Sequence, residues 1–163
     1  IDALMLDCDG VLTTGEITFD HNGTRSLGFY ARDSMGLAIA QRAGLKIAML
    51  SGRPIDIAEL RHREIGITNF VGPCKDKRAG ALDLCKAMQV APERTAFVGD
   101  DLPDLAAFQV CGVKIAVADA IPEILCTADW VTTAVGGRGA VREVCEAILK
   151  AKGLWDPILA KYR

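Results

Sequence analysis

The stretch Leu4-Met5-Leu6-Asp7-Cys8-Asp9-Gly10-Val11 decides how the rest of the chain is read. An apolar run ends abruptly in two carboxylates spaced two residues apart. A short apolar run bounded by Gly reads as a buried strand, in which side chains repeat with period 2. If the backbone stays extended for one more step, Asp7 and Asp9 point the same way, off the strand's carboxyl end. Two like charges that close, beside a low-dielectric core, are costly unless one is protonated or a cation sits between them. Such a pair calls on the rest of the chain for more acids, a cation and a phosphate cradle at the same spot.

Outward from that strand, the chain alternates strand and helix. Glu16 to Asp20 and Arg25 to Tyr30 read as a hairpin, because Asn22-Gly23 lies between two β-rich runs. A helix is expected from about Asp33 to Ala43, stopped by Gly44. Leu45 to Leu50 is a second buried strand ending in Ser51-Gly52-Arg53, and Pro54 opens a helix to about Glu64. A short strand near Phe70-Val71 precedes a helix from Asp76 to about Met88. Thr95 to Val98 is a strand ending in Gly99-Asp100-Asp101, followed by a helix over about Leu102 to Gln109. Val113 to Val117 is a strand, Ile121 to Cys126 a helix, and Trp130-Val131 a last short strand. Gly136-Gly137-Arg138-Gly139 leads into a helix from about Ala140 to Ala151, and a tail with Trp155 and Leu159 runs from Gly153.

This alternation predicts an α/β fold: a doubly wound, Rossmann-like parallel sheet covered on both faces, with a small β-hairpin insert after the first strand. Residues 1–163 read as one domain, with the insert at about 14–31 and the tail at about 153–163. In such sheets the active site lies off the carboxyl ends of the strands. Every chemically loaded stretch here sits at such an end.

Composition narrows the function classes. Of 163 residues, 50% are hydrophobic and 25% charged, which suits a soluble globular domain. A net charge of −2 with both signs interspersed argues against a nucleic-acid binder, and no apolar run reaches the roughly 18 residues of a membrane span. The six cysteines are scattered without a Cys-x-x-Cys pair, and His21 and His62 are isolated, so no zinc site is expected. Buried thiols of this kind suit a reducing compartment, and the cytoplasm is the expected location. No signal peptide is visible. The chain opens at Ile1 without Met, so a few preceding residues are expected.

Taken singly, each motif also has a plain structural reading. Asp-x-Asp-Gly suits a tight turn, Ser51 suits a helix start, and acids at Asp100, Asp101 and Asp104 suit a helix dipole. Lys75, Lys77 and Arg78 crowd a first helical turn, where cations are disfavoured unless they face solvent or a nearby anion. Together the motifs have complementary chemistry. Asp7 and Asp9 supply a nucleophile and an acid/base, and Asp100 with Asp101 supplies further hard oxygen ligands. That set calls for Mg²⁺, which leaves sites for water and phosphate. Ser51 and Lys77 can then hold a transferring phosphoryl group.

The ordered set Asp7-x-Asp9-Gly10-Val11, Ser51-Gly52-Arg53, Lys77 and Gly99-Asp100-Asp101-x-x-Asp104 resembles the haloacid dehalogenase superfamily of phosphatases. Arg32-Asp33-x-x-Gly36, Arg61 and Gly136-Gly137-Arg138-Gly139-Ala140-Val141-Arg142-Glu143 are similar to its capless branch, the 3-deoxy-D-manno-octulosonate 8-phosphate (KDO 8-phosphate) phosphatases. The resemblance covers nearly the whole chain. It implies that Asp7 is the nucleophile and Asp9 the general acid/base. It implies that Mg²⁺ is held by the Asp7 side chain, the Asp9 backbone carbonyl and Asp100. Asp101 and Asp104 then act through water or through hydrogen bonds behind the metal ligands. Ser51 and Lys77 bind the phosphoryl group, and Arg32, Asp33, Ser34, Arg53 and Arg61 fall where similar proteins contact the sugar acid. The resemblance further implies a homotetramer in which hairpins associate, active sites lie at subunit interfaces, and a neighbour stands in for a cap domain. In some relatives the C-terminal tail reaches an adjacent site.

Ser34 stands where many relatives have Gly, Ala38 where some carry a basic residue, and Cys8 where Val is commoner. The expected substrate is the eight-carbon sugar acid phosphate. A nine-carbon sialic or deoxynononate 9-phosphate is the alternative, and a non-catalytic oligomerisation domain a remoter one. A receiver-like signalling domain uses similar acids and a lysine, but Asp9 beside Asp7 argues for turnover of the phosphoryl group rather than its storage.

Overall fold

Ala3, Leu4, Met5 and Leu6 are all fully buried, as a strand covered on both faces must be. The computed structural model, which describes residues 1–54 and 56–163, puts this strand in the middle of a parallel sheet. In chain order the first half comprises β1 (Ala3–Leu6), β2 (Thr18–Phe19), β3 (Arg25–Ser26), α1 (Ala31–Arg42), β4 (Lys46–Leu50), α2 (Asp56–Arg63), β5 (Asn69–Val71) and α3 (Lys77–Met88). The second half comprises β6 (Thr95–Gly99), α4 (Asp104–Phe108), β7 (Val113–Ala116), α5 (Pro122–Thr127), β8 (Trp130–Val131), α6 (Ala140–Ala151) and α7 (Trp155–Ala160).

Among the described residues the main sheet has six strands in the order β5-β4-β1-β6-β7-β8, paired in parallel throughout. The order runs outward from β1 in both directions. The crossovers β1→β4→β5 run one way along the sheet and β5→β6→β7→β8 the other, so right-handed connections place α1 and α2 on one face and α3, α4 and α5 on the opposite one. On one face α1 packs on α6, and on the other α3 packs on α4. Leu6 lies level with Met49 of β4 and Val98 of β6. Asp7, one residue on, and Ser51 and Asp100, each two residues on, thus emerge at one rim, where the strand order reverses. Behind them Phe97 and Phe108 meet edge to face with ring centroids 6.0 Å apart, closing the core under that rim.

The doubly wound fold predicted from the alternation is what the chain adopts, and most elements fall within a residue or two of their expected bounds. Some differ for identifiable reasons. The backbone does not stay extended beyond Asp7: Leu12 N and Thr13 N both donate to Cys8 O, at 2.9 and 3.1 Å, which curls the chain at once. The hairpin strands shrink to two residues each, since an isolated two-stranded ribbon has no further strand to pair with. Its turn is held by the Asp20 carboxylate, which accepts from Asn22 N and Thr24 N. The helix expected from Leu102 starts at Asp104, and the tail forms α7, whose Trp155 ring stacks under Arg142 and Lys150. The helix start expected at Pro54 runs through Ile55, which lies outside the described residues; α2 is described from Asp56. No helix among the described residues is long and apolar enough to cross a membrane.

Leu6 is fully buried one residue before Asp7. Leu6→Ala is expected to cost about 2–5 kcal/mol of stability, read as a lower urea midpoint at unchanged slope.

Candidate active site

Three strand ends and one helix start build the site. Asp7 follows β1, Ser51 follows β4, Asp100 follows β6, and Lys77 opens α3. They line a cavity of about 340 Å³ together with Asp9, Arg53 and Asp101. The seven side chains brought together here are those the motifs singled out, and they come from segments up to 94 positions apart in sequence.

Lys77 is the centre of the charge arrangement. The Asp76 carboxylate caps α3 by accepting from Arg78 N and Ala79 N, so the helix begins in spite of its basic first turn. Lys77 then turns inward and is 3% exposed. Its Nζ lies 2.9 Å from Asp7 Oδ1 and 2.6 Å from Asp104 Oδ1. Asp104 is fully buried, and its other oxygen accepts from Asp100 N at 2.9 Å and Asp101 N at 3.3 Å. Both Asp104 oxygens are therefore committed, one to the ammonium and one to the turn that carries the other two acids.

Asp7 and Asp100 are less well satisfied. Asp7 Oδ1 is close enough to Lys77 for an ion pair but off the direction of a hydrogen bond, and it has no hydrogen-bond partner among the described residues. Asp100 Oδ1 is likewise buried without a partner among them. Carboxylate oxygens of Asp7, Asp100 and Asp104 lie within 4.8 Å of one another. Burial and the neighbouring Asp104 push the Asp7 carboxyl up to about 7, against the pull of Lys77. Burial, Asp7 and Asp104 together push Asp100 up to about 8. For Lys77, burial works against the charge, but Asp7 and Asp104 outweigh it and hold the ammonium above its ordinary value. One buried ammonium does not balance three acids. Hard, unpartnered oxygens facing a cavity suit a divalent cation such as Mg²⁺, and Asp7 and Asp100 are the side chains left to hold it.

Gly10 makes this closeness possible. Its φ is +83°, and a Cβ there would lie 2.0 Å from Asp100 Oδ2. The turn after Asp7 thus rests its backbone directly on the Asp100 carboxylate. Asp9 sits on that turn with its carboxylate 3.2 Å from Arg53 Nε, and Ser51 Oγ accepts from Arg53 N at 3.2 Å. The chain is no longer extended at Asp9, yet Asp9 still lines the same cavity as Asp7, with its carboxylate beside Arg53.

The residues expected to contact a sugar acid divide sharply. Arg53 lines the cavity. Arg61 pairs with Glu64 at 2.6 Å on the surface of α2, and Arg32 is exposed at the start of α1; neither lines the cavity in a single chain. Asp33 is buried, and its carboxylate accepts from Gly139 N at 3.1 Å and Arg142 N at 2.7 Å, capping α6. Its oxygens face α6 and not the cavity. Ser34 is also buried, its Oγ without a partner among the described residues.

The motif reading placed Asp104 behind the site without naming Lys77 as its partner. It missed Asp119, whose Oδ1 accepts from Gly136 N, and it named Glu143 within the closing motif without its role, which is to accept from Thr133 N and Ala134 N. The paired glycines before α6 were the one available signal, since such glycines mark close backbone approach.

Residues 30–112 match the family of haloacid dehalogenase-like hydrolases, and the chain belongs to that family. It is 40% identical over 156 residues to the 3-deoxy-D-manno-octulosonate 8-phosphate phosphatase KdsC of Escherichia coli K12, covering 96% of this chain and 83% of that protein. The branch within the family is that of these phosphatases. Its fold matches the crystal structure of the Moraxella catarrhalis enzyme in complex with magnesium ion, phosphate ion and a KDO molecule, with a TM-score of 0.96 and 35% identity, covering 100% of this chain and 94% of that one. It also matches the cobalt-bound form of the Haemophilus influenzae enzyme, with a TM-score of 0.92 and 39% identity over 95% of this chain and 91% of that one.

The raised carboxyl values predict a pH effect. Between the ordinary carboxylate value of 3.8 and about 7 to 8, the folded chain holds protons on Asp7 and Asp100 that the unfolded chain has released. Stability of the metal-free protein is therefore expected to fall as pH rises through that window. Thermal melts with a chelator should show Tm dropping from about pH 5 to about pH 8, and added Mg²⁺ should remove most of the drop by binding the ionised acids.

Proposed function

We propose that this protein is a Mg²⁺-dependent phosphatase that releases phosphate from 3-deoxy-D-manno-octulosonate 8-phosphate through an aspartyl-phosphate on Asp7. The observation that carries the reading is the buried Lys77 flanked by Asp7 and Asp104, with Asp7 and Asp100 oxygens at the same cavity that have no hydrogen-bond partner among the described residues. The substrate rests on the relatives, which are named for that activity, and on the bound KDO and phosphate of the Moraxella catarrhalis enzyme.

In this reading Mg²⁺, held by Asp7, Asp100 and the Asp9 backbone carbonyl, neutralises charge on the phosphoryl oxygens. Lys77 and Ser51 hold that group in line with the Asp7 carboxylate. An Asp7 oxygen attacks phosphorus, the bond from phosphorus to the sugar oxygen breaks, and Asp9 gives its proton to that oxygen. Asp9 then takes a proton from water, whose oxygen attacks the same phosphorus and frees phosphate and Asp7. Asp104 keeps Lys77 charged and the Asp100-Asp101 turn in place. Arg53, exposed at the cavity mouth beside Asp9, supplies a cation for the acid group of the sugar.

The assembly we propose is a homotetramer. The hairpin is too short to cap the cavity, and Phe19 on it is 61% exposed, an apolar face that a neighbouring copy would cover. Arg32 and Arg61, outside the cavity of their own chain, are then available to complete a neighbour's. All six cysteines are free, which suits the reducing cytoplasm.

Phosphate release should be measured with Mg²⁺ on the eight-carbon 8-phosphate and a nine-carbon 9-phosphate side by side. The eight-carbon substrate is expected to have the higher kcat/KM, with Asp7→Asn inactive and Asp9→Asn lowered about 10²–10⁴-fold in kcat. Preference for the nine-carbon substrate would overturn the substrate, and turnover by Asp7→Asn would overturn the nucleophile.

A further inference from the structure

Residues 133–139 press on the back of the turn that carries Asp9. A Cβ on Gly136 would lie 1.6 Å from the carbonyl oxygen of Gly10, and one on Gly137 would lie 2.3 Å from the Thr13 carbonyl carbon. Gly137 N donates to Val11 O at 2.9 Å. Gly10 is thus held between two surfaces, the Asp100 carboxylate on one side and the Gly136 backbone on the other. It has nowhere to move while both are in place.

The pressing segment contributes no side chain to the cavity around Asp7, yet it is held by three carboxylates from three different places in the chain. Asp119, after β7, accepts from Gly136 N at 2.8 Å. Glu143, in α6, accepts from Thr133 N at 2.9 Å and Ala134 N at 3.0 Å. Asp33, buried in α1, accepts from Gly139 N and Arg142 N. Three acids from separate places in the chain thus hold the backbone of one short, glycine-rich loop and the start of α6. They hold the loop at a fixed distance from Gly10.

We infer that this segment is the backing that positions the Asp9 turn for proton transfer, and that Asp119 and Asp33 are positioning residues acting through Gly136–Gly139 on Gly10. Asp33 has this role in place of contact with the sugar acid. The inference rests on the reading of Asp9 as the general acid/base. When the backing loosens, Gly10 gains room, Asp9 shifts relative to the leaving oxygen, and protonation of that oxygen suffers first.

The test compares two substrates of the whole protein with Mg²⁺: an alkyl phosphate, whose leaving oxygen needs a proton, and p-nitrophenyl phosphate, whose leaving group departs without one. Asp119 is exposed, so Asp119→Ala removes the tether without opening a hole in the core. It should lower kcat about tenfold on the alkyl phosphate and less than about threefold on the aryl one, with KM little changed. Asp119→Asn keeps an oxygen that accepts from Gly136 N and should restore both rates. Asp33→Asn loses one of its two acceptor oxygens and should show the same bias as Asp119→Ala. Asp9→Asn serves as the reference and should show the largest bias. If both substrates slow equally in Asp119→Ala, or neither slows, while Asp9→Asn keeps its bias, the backing role is wrong and the acid/base reading stands. If Asp9→Asn shows no bias, the acid/base reading fails and the inference fails with it.

Discussion

The burial of Lys77 between Asp7 and Asp104 is the constraint on which the rest of the site depends. A buried ammonium is tolerated only when paired, and removing one partner of such a pair typically costs about 3–5 kcal/mol. Through this one side chain the end of β1, the start of α3 and the start of α4 are fixed relative to one another. Asp104 extends the link to the end of β6, because its second oxygen holds the backbone of Asp100 and Asp101. The same contacts leave the site short of positive charge. Asp7 and Asp100 retain buried oxygens with no hydrogen-bond partner among the described residues, and that deficit is what a divalent cation repairs.

Glycines set how closely the pieces approach. Gly10, in the left-handed region, lets the turn after Asp7 rest on Asp100, and Gly99 lets Asp104 fold back on the end of β6, where a Cβ would lie 2.6 Å from the Asp104 side chain. Gly136 and Gly137 do the same for the segment behind Gly10. The acids supply the charge, and the missing side chains supply the distances. An alanine at any of these positions would push apart groups whose chemistry depends on being near.

Much of this was legible in the sequence. The buried run before Asp7, the alternation of strand and helix, and the placing of Ser51, Lys77 and Asp100 at strand ends or a helix start follow from local pattern, and the fold bears them out. What local pattern could not carry was contact between distant residues. Asp33 caps a helix whose first residues lie more than a hundred positions away, and nothing near Asp33 announces it. Its place next to Arg32 in a family motif pointed to substrate, whereas its burial commits it to α6. The extended backbone expected past Asp7 failed for a simpler reason, although Asp9 still reaches the cavity of Asp7. The period-2 rule holds only while the backbone is extended, and the chain curls at Cys8. The hairpin was overextended because its residues favour strand, while a ribbon with no further strand beside it keeps only a short ladder.

The central claim is that Asp7 itself takes the phosphoryl group. Asp9→Asn, in which hydrolysis of the intermediate is slowed, should be mixed with substrate and Mg²⁺, quenched in acid, digested and analysed by mass spectrometry. The account predicts a phosphoryl group on the peptide that carries Asp7, lost on treatment with hydroxylamine. Continued turnover with no phosphoryl group on that peptide, or with one on any other residue, would contradict it.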